Sequence, residues 1–433
     1  MKIKQLTPAR LAIAAQSIQV LPSNNLSTIQ WLVYIGGAAG IVLTLACGGR
    51  LSRSLLALLC IASVVASIVV VIDRDTSSDV GLRQYLVIGI MTLSLVLQSM
   101  PKAAVSSISM GIRNLGDFRV SVARIYQTLC AIVAYFALTA EFARYWWISE
   151  CLAAFRLQYF LILVVAAIES CIRRNRIRAA SYGGIGVITV LHLYWHAPMP
   201  IGDVNVKTQG RDMRVMVSNV HQGHTANERV TANIVASGPD LVGLLEIDGT
   251  WESDLQTLEA EYPHRAQVYR LDPFGLALLS RYPLLSQRVQ LLSGIPALVA
   301  EVDDHGKKCW VVLVHLLPPS SWLTTMDRNR QIDELDELLT RLTGCKIIMG
   351  DMNLSNQAPA FNDFKSRNFL TEWDSSIVPT ITWPAFLPLL GIKIDHVLTS
   401  NHLRMVELRS GPNVGSDHYP ILATLRHETT VDP

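Results

Sequence analysis

The chain has 433 residues, of which 50% are hydrophobic and 17% charged, and its mean hydropathy is +0.31. This composition excludes a disordered or fibrous chain and disfavours an enzyme that is soluble along its whole length. The formal net charge of +2 conceals two unlike halves: residues 1–200 carry 17 Lys/Arg and 7 Asp/Glu, and residues 201–433 carry 20 and 28. We therefore predict a basic, apolar membrane region over 1–200 and a separate acidic domain over 203–433.

Apolar runs separated by short basic loops fill the first 200 residues. A helix needs about 20 apolar residues to cross a bilayer. The pattern predicts five or six transmembrane helices, because the fourth and fifth runs are short or interrupted. The predicted spans are residues 30–47, 54–72, 83–100, 124–140, 157–172 and 180–196.

The loop cations predict an orientation, since Lys and Arg in short loops tend to stay in the cytoplasm. With six spans, the loops after the first, third and fifth spans hold most cations, including the four arginines of 173–178. Lys2, Lys4 and Arg10 favour the opposite orientation. We expect a multi-pass protein of the cytoplasmic (inner) membrane, embedded in the lipid bilayer, with the domain over 203–433 outside the cytoplasm.

The second half has the pattern of an α/β domain. Two prolines and a glycine in residues 197–202 predict a linker. Short β-type runs then alternate with helical patterns, of which 327–343 is the clearest. This order favours two packed sheets flanked by helices. The predicted strands are residues 214–219, 240–246, 275–280, 297–302, 308–315, 346–350, 394–400 and 421–425.

Five of the seven cysteines lie in or beside the apolar runs of the first half. Cys309 and Cys345 each lie in or next to a strand pattern, and we expect them to be buried free thiols. The Cys and His spacing does not suggest structural zinc.

Residue types that bind metals and transfer protons gather at the ends of the predicted strands. Each one alone is more often a turn former, a helix cap or a satisfied buried residue. Five strand ends of this kind together point to one site at a rim of the sheets. The residues are Asn219, Glu246, His315, Asp351, Asn353, Asp395, Asp417 and His418.

These residue types suit metal-assisted hydrolysis of a phosphate ester. Hard oxygen ligands such as Glu246, Asn219 and Asp417 favour Mg²⁺ or Mn²⁺ over zinc. A histidine held by a carboxylate can take the proton of an attacking water, and His418 oriented by Asp395 fits that role.

The remaining residues fit the phosphate side of the same reaction. Asp351 with Asn353 can align the water and donate to a phosphate oxygen. His315 can stabilise the phosphate or assist the leaving group.

Over about residues 210–427 the sequence resembles the endonuclease/exonuclease/phosphatase superfamily, the DNase-I-like fold. The strings that carry the resemblance occur in the expected order: VSNV, LLEID, GLALLSRYPL, VVLVHL, IMGDMN, IDHVLTS and GSDHYPI. The resemblance implies a four-layered αββα sandwich with its site at one sheet rim. Two positions depart from the family pattern, since Leu245 replaces a usual glutamine and His221 replaces an acid found in some relatives.

The resemblance also implies roles for the strand-end residues. Glu246 would be the principal metal ligand, with Asn219 and Asp417 near the metal. Asp351 and Asn353 would lie beside the water and the phosphate, and His315 would be the phosphate-side histidine. His418, supported by Asp395, would be the base or a phosphate partner.

The stretch TITWPAF at 380–386, together with the apolar N-terminal half, resembles the bacterial membrane-anchored branch of this family. Trp383, and Trp322 in the loop after His315, could cover a substrate, or they could be ordinary packing residues.

We therefore expect a membrane-anchored, divalent-metal-dependent phosphoesterase that hydrolyses a lipid-linked or small phosphate ester or pyrophosphate. The first alternative is a metal-dependent nuclease, which the acidic second half disfavours because duplex binding depends on phosphate neutralisation by Lys and Arg. The second alternative is a non-catalytic binding module. The sequence does not identify a protein partner.

Overall fold

The computed structural model describes residues 115–195, 212–223, 227–372 and 380–427. The chain divides into two compact units whose boundary falls between Ile132 and Val133. The predicted spans at 30–47, 54–72 and 83–100 lie outside the described residues.

Three helices overlap the last three predicted spans: α1 (Leu115–Ala140), α3 (Arg156–Ile172) and α4 (Arg176–Trp195). A short helix, α2 (Trp147–Ala153), lies between α1 and α3. Among the described residues, no single helix has both the length and the hydropathy that are needed to cross a bilayer. Helices α2 and α3 pass that test together, as a pair bent by 67°. The prediction that each of these segments is a span is therefore not supported by the described helices.

The helices from Val133 onward belong to the same compact unit as the domain that follows. Buried Arg328 pairs with Glu150 of α2 at 2.7 Å. The buried guanidinium of Arg156 donates from Nη1 to the Gln357 carbonyl oxygen at 3.2 Å. Because both arginines are buried, removal of either partner would leave a buried polar group without its contact, which is costly. The predicted division of the chain near residue 200 stays a prediction.

The second half contains eleven strands and four α-helices in its described residues, with two runs of consecutive strands. The strands are β1 (Met213–Asn219), β2 (Leu241–Leu245), β3 (His264–Val268), β4 (Leu276–Ser280), β5 (Leu284–Leu292), β6 (Ile295–Asp304), β7 (Lys307–His315), β8 (Cys345–Asp351), β9 (Asp395–Thr399), β10 (Leu403–Ser410) and β11 (Ile421–His427). The helices are α5 (Asn227–Ser237), α6 (Trp251–Thr257), α7 (Trp322–Arg341) and α8 (Pro359–Arg367), with a short 3₁₀ turn at Pro388–Leu390.

These strands form two sheets, in the orders β10-β11-β1-β2-β4-β3 and β5-β6-β7-β8-β9. Their inner faces meet in one core that includes Val215, Leu278, Val311 and Ile347. Helices α5 and α6 cover the outer face of the first sheet, and α7 and α8 cover the second. The predicted α/β sandwich is confirmed for this part of the chain, and its layers run helix, sheet, sheet, helix.

Gly243 lies in the tightly packed core between the two sheets. A Cβ at this position of β2 would lie 2.6 Å from Leu313 Cδ1 and 3.0 Å from Met349 Cε, two side chains of the opposite sheet. Both distances are shorter than normal van der Waals contact, so a larger residue here would force the ends of these two side chains to move.

Three strands are missing from the sequence-based prediction: β3, β5 and β10. Each is an outer strand of its sheet. The side chains of these three strands are partly exposed. In β5, for example, most residues are exposed or half-buried. The apolar runs that identify buried strands are therefore absent. Helix α7 also begins five residues earlier than predicted, because Ser321 and Thr324 form a capping box.

The prediction of free thiols at Cys309 and Cys345 is wrong. The two residues are direct partners in the parallel β7–β8 ladder, with a Cα–Cα distance of 4.6 Å, and they form a disulfide. Cys309 lies six residues before His315 and Cys345 six before Asp351, so alignment of the two strand ends would have paired them.

Loss of this disulfide should lower the free energy of unfolding by about 2–4 kcal/mol. Denaturant unfolding of the full chain with and without dithiothreitol measures the effect. A Cys309→Ala/Cys345→Ala variant should show the loss without reductant and no further change with it. A wild-type transition that ignores dithiothreitol would show that the bond does not form.

Candidate active site

The sheet registers bring the predicted strand-end residues to one rim of the sandwich. Strands β1 and β2 run parallel and end beside each other at Asn219 and Leu245, just before Glu246. Strands β7 and β8 also run parallel and pair His315 with Asp351. Strand β9 runs antiparallel to β8 and pairs Asp395 with Asp351, so it starts at the rim where β8 ends.

Glu246 is held by both of its carboxylate oxygens. Its backbone has a φ of 65°, which turns the chain sharply at the end of β2. Asn219 Nδ2 donates to Oε1 at 2.9 Å, and the Gln222 backbone N–H donates to Oε2 at 2.9 Å. Sequence reasoning missed Gln222, because a backbone donor leaves no signal in the residue type.

Asp351 is buried at the centre of the rim. Asn219 Nδ2 reaches across from the first sheet to its Oδ2 at 3.2 Å. The Asn353 backbone N–H donates to its Oδ1 at 2.8 Å, and the Asn353 amide donates to the Leu316 carbonyl oxygen at 2.8 Å. Gly350 allows this turn, because its φ is 141° and a Cβ would lie 1.8 Å from the Val314 carbonyl oxygen.

A buried histidine–carboxylate pair lies next to Asp351. His418 Nδ1 is 2.8 Å from Asp395 Oδ2, and His418 Nε2 is 3.8 Å from Asp351 Oδ2. Ser416 Oγ accepts the His418 backbone N–H and donates to the Asn219 carbonyl oxygen, which fixes the loop before β11. The Asp395–His418 pairing that the sequence predicted is present.

His315 lies on the other side of Asp351. Its Nε2 is 3.6 Å from Asp351 Oδ2 and 4.0 Å from Glu246 Oε1, and its ring lies against Phe274 with centroids 5.0 Å apart. Its buried Nδ1 has no hydrogen-bond partner among the described residues. The ring is thus placed by packing, and Nε2 faces the acidic centre.

Asp417 contacts two side chains outside the predicted set. His221 Nδ1 lies 3.1 Å from Asp417 Oδ1, and Trp383 Nε1 donates to Asp417 Oδ2 at 3.2 Å. His221 is 52% exposed at its side chain. The sequence marked His221 only as a departure from a family pattern. Trp383 is a hydrogen-bond partner of Asp417, a predicted metal ligand. This contact differs from both roles that the sequence suggested for Trp383, which were covering a substrate and ordinary packing.

Burial and mutual repulsion set the charge state of the rim. Burial raises the pKa of Asp351 to about 6, and the nearby carboxylate of Asp395 adds to this effect. Burial opposes protonation of His418, but the carboxylates of Asp395, Asp351 and Asp417 outweigh it and raise the His418 pKa to about 10. At neutral pH His418 is therefore an imidazolium, and Asp351 titrates close to neutrality.

The residues present fit a divalent cation. The predicted ligands Glu246, Asn219 and Asp417 offer hard oxygen donors, as Mg²⁺ and Mn²⁺ prefer. A second group, Asp351, Asp395 and His418, has ligand atoms all within 4.8 Å of one another, but His418 could bind an ion only after it loses its proton. When bound, the ion would neutralise charge that builds on a phosphate.

The same charge states divide the proton chemistry between two residues. A carboxylate with a pKa near neutrality can accept the proton of an attacking water, so Asp351 suits the general base. The His418 imidazolium suits a donor to a phosphate oxygen, held in place by Asp395. Of the two roles predicted for His418, the electrostatics favour the phosphate partner over the base. The individual roles stay predictions.

Residues 216–418 match the model of the Endonuclease/Exonuclease/phosphatase family. These residues include all eight predicted site positions. Over these residues the chain is similar to this family, and it is a phosphoester hydrolase. No curated protein matches the sequence.

Solved structures similar to this chain include a humanized D. rerio TDP2 with 14 mutations, at 14% identity and a TM-score of 0.41, over 50% of this chain and 99% of that one. An endonuclease/exonuclease/phosphatase from Bacteroides vulgatus matches at 19% identity and a TM-score of 0.43, over 51% and 100%. Sphingomyelinase C from Streptomyces griseocarneus matches at 16% identity and a TM-score of 0.39, over 50% and 99%.

Proposed function

We propose that the chain is a membrane-anchored phosphoesterase that hydrolyses a lipid-linked or small phosphate ester, or a pyrophosphate, by in-line attack of water. The observation that carries this proposal is the meeting of four carboxylates and two imidazoles at one rim. Carboxylates attract the cation that phosphate chemistry needs, and the imidazoles supply donors for the phosphate oxygens. The four acids are Glu246, Asp351, Asp395 and Asp417, and the histidines are His315 and His418.

The lipid-linked substrate is supported by the apolar first half of the chain. Long apolar runs would keep the domain at a bilayer, where such a substrate lies. A cell-envelope location outside the cytoplasm is supported by the Cys309–Cys345 disulfide, because disulfides persist in oxidising compartments. Both features agree with the bacterial membrane-anchored branch that residues 380–386 resemble.

A nuclease is the less favoured alternative function. Residues 201–433 carry eight more acidic than basic residues, which weakens the electrostatic attraction for a duplex. A non-catalytic module is disfavoured by the retention of every predicted ligand and proton-transfer residue.

The test uses the full chain purified in detergent with Mg²⁺ or Mn²⁺. Phosphate release from a polyprenyl pyrophosphate, hydrolysis of bis(p-nitrophenyl) phosphate and nicking of plasmid DNA are measured in parallel. Lipid phosphate release that stops with EDTA supports the proposal. DNA nicking alone would replace it with the nuclease, and failure on all three substrates would overturn it.

Glu246→Gln should raise the metal concentration needed for half-maximal activity about 10–100-fold, because an amide loses the negative charge and cannot accept both of its present hydrogen bonds. Titration of activity against Mg²⁺ measures the shift. Glu337→Gln, on an exposed ion pair of α7, is the matched control and should leave the curve in place. An unshifted curve for Glu246→Gln would remove this residue from the metal site.

A further inference from the structure

An exposed apolar loop borders the active-site rim. We call residues 384–391 the apolar loop. Its tip carries four large apolar side chains, of which Phe386 is 76% and Leu389 is 87% exposed, with Leu387 and Leu390 also exposed. Contiguous apolar surface of this kind marks contact sites for proteins or membranes, whereas single exposed leucines do not.

The loop is anchored at its base rather than loosely attached. Trp383 and Ile392 exchange backbone hydrogen bonds of 3.0 and 2.7 Å. The Ala385 N–H donates to the Asp417 carbonyl oxygen at 2.7 Å, and Tyr419 Oη donates to the Ala385 carbonyl oxygen at 3.0 Å. The exposed tip is therefore held at a fixed position beside an active-site acid.

The apolar loop also adjoins the helices. Gln158 Nε2, in the first turn of α3, donates to the Gly391 carbonyl oxygen at 3.0 Å. Helix α3 packs along α4, and both present exposed apolar side chains, among them Val165, Ile168 and Leu191. The start of α3 and the apolar loop thus lie at the same end of the helical pair.

The two ends of this helical pair differ in composition. The turn after α3 carries Arg173 and Arg174, and the first turn of α4 carries Arg176 and Arg178, whereas the segment before α3 carries Tyr145, Trp146 and Trp147. Aromatic residues are typical of the membrane–water boundary, and clustered arginines are typical of a cytoplasmic loop. The apolar loop lies at the aromatic end.

We propose that the apolar loop inserts into the outer boundary of a lipid bilayer and guides the hydrocarbon chain of a lipid-linked phosphate ester to the rim. This rests on the proposed function, since it names how that site meets its substrate. The bilayer is the occupant favoured by the apolar runs of the same chain and by the helices that the loop adjoins. The acidic domain would not be drawn to an anionic membrane by charge, so apolar contact must hold the rim there.

The contact is tested by fluorescence in a full chain reconstituted into phosphatidylcholine vesicles. Leu389→Trp places a reporter at the loop tip, and Leu291→Trp places one at an exposed position of β5. The tryptophan emission of the wild type is subtracted from that of each variant. The remaining emission is compared between ordinary lipid and lipid that is brominated on its acyl chains. We expect quenching of the Leu389→Trp emission and none for Leu291→Trp.

Two fluorescence outcomes would overturn the proposal. Emission from Leu389→Trp that is unquenched and typical of water would show that the tip stays in solvent. Unquenched but blue-shifted emission would show that a second copy of the chain covers it. Quenching without cleavage of any phosphate ester would keep the membrane contact and remove the proposed function, so the two failures are distinguishable.

A kinetic test measures the effect on substrate selection. Phe386→Ser/Leu389→Ser should lower the ratio of turnover on vesicle-borne polyprenyl pyrophosphate to turnover on bis(p-nitrophenyl) phosphate about tenfold or more, because it removes apolar area from the lipid contact. Val289→Ser/Leu291→Ser, which removes two exposed apolar side chains from β5, should keep the wild-type ratio. Equal ratios in the two variants would overturn the guiding role.

Discussion

Replacement of Asp395 by asparagine should lower kcat for phosphate ester hydrolysis about 10²–10⁴-fold, with little change in KM. The Asp395 carboxylate lies 2.8 Å from His418 Nδ1 and is the strongest of the attractions that keep this buried histidine protonated. An asparagine keeps the shape but removes the charge, so the pKa of His418 falls and the imidazolium that faces the phosphate is lost. In the variant, the fall of kcat on the alkaline side of the pH profile should therefore begin at a lower pH than in wild type.

The chain offers a matched control for this variant. Asp304 and His427 form a second buried pair, with Oδ2 and Nε2 2.9 Å apart. Asp304 pairs with Lys307 at the turn between β6 and β7, at the rim opposite His315. Asp304→Asn should cost stability without moving the pH profile. Similar losses of kcat in the two variants would mean that Asp395 acts through folding alone.

Glu372→Gln should lower the free energy of unfolding by about 3–5 kcal/mol at neutral pH, because it leaves a buried cation without its partner. Glu372 Oε2 is 2.9 Å from Lys393 Nζ and 3.1 Å from His396 Nδ1, and all three residues are buried. His396 Nε2 is 2.8 Å from the Leu354 carbonyl oxygen. Both imidazole nitrogens therefore face acceptors, and the ring connects the ion pair to the loop that follows Asn353.

The effect should depend on pH in a defined direction. Burial opposes ionisation of Glu372, but Lys393 and His396 outweigh it and hold the Glu372 pKa well below its ordinary value of 4.5. A depressed pKa contributes stability above the unfolded-state value and loses it as the pH falls. The difference between wild type and variant should thus be largest above pH 4.5 and shrink below it.

Denaturant unfolding of the full chain at several pH values measures this difference. Glu407→Gln breaks an ion pair with Arg409 in which both side chains are more than half exposed, and it should cost about 0–1 kcal/mol at every pH. A small, pH-independent effect of Glu372→Gln would contradict the buried network.

Eight strands could be predicted from the sequence because their buried segments consist largely of consecutive apolar residues. The outer strands β3, β5 and β10 could not, because exposure removes the pattern. The strand-end polar residues were visible for a similar reason: each interrupts an apolar run at the point where the strand leaves the core.

The missing parts of the site depend on contacts between distant segments. Glu372 stands outside every motif, and only the fold brings it to Lys393 and His396. The Gln222 backbone donor and the His221 and Trp383 contacts with Asp417 likewise follow from loop conformation. The protonated state of His418 follows from burial among acids, which residue spacing does not report.

The site is divided between the two sheets, and this has a consequence for how the enzyme can change. Asn219 and Glu246 belong to one sheet and Asp351 to the other, and the 3.2 Å hydrogen bond from Asn219 to Asp351 spans them. A larger residue at Gly243 would meet Leu313 and Met349 of the opposite sheet, and any shift of one sheet against the other would lengthen that bond. Each sheet supplies only part of the site, so a substitution in the shared core can change activity without replacing a site residue.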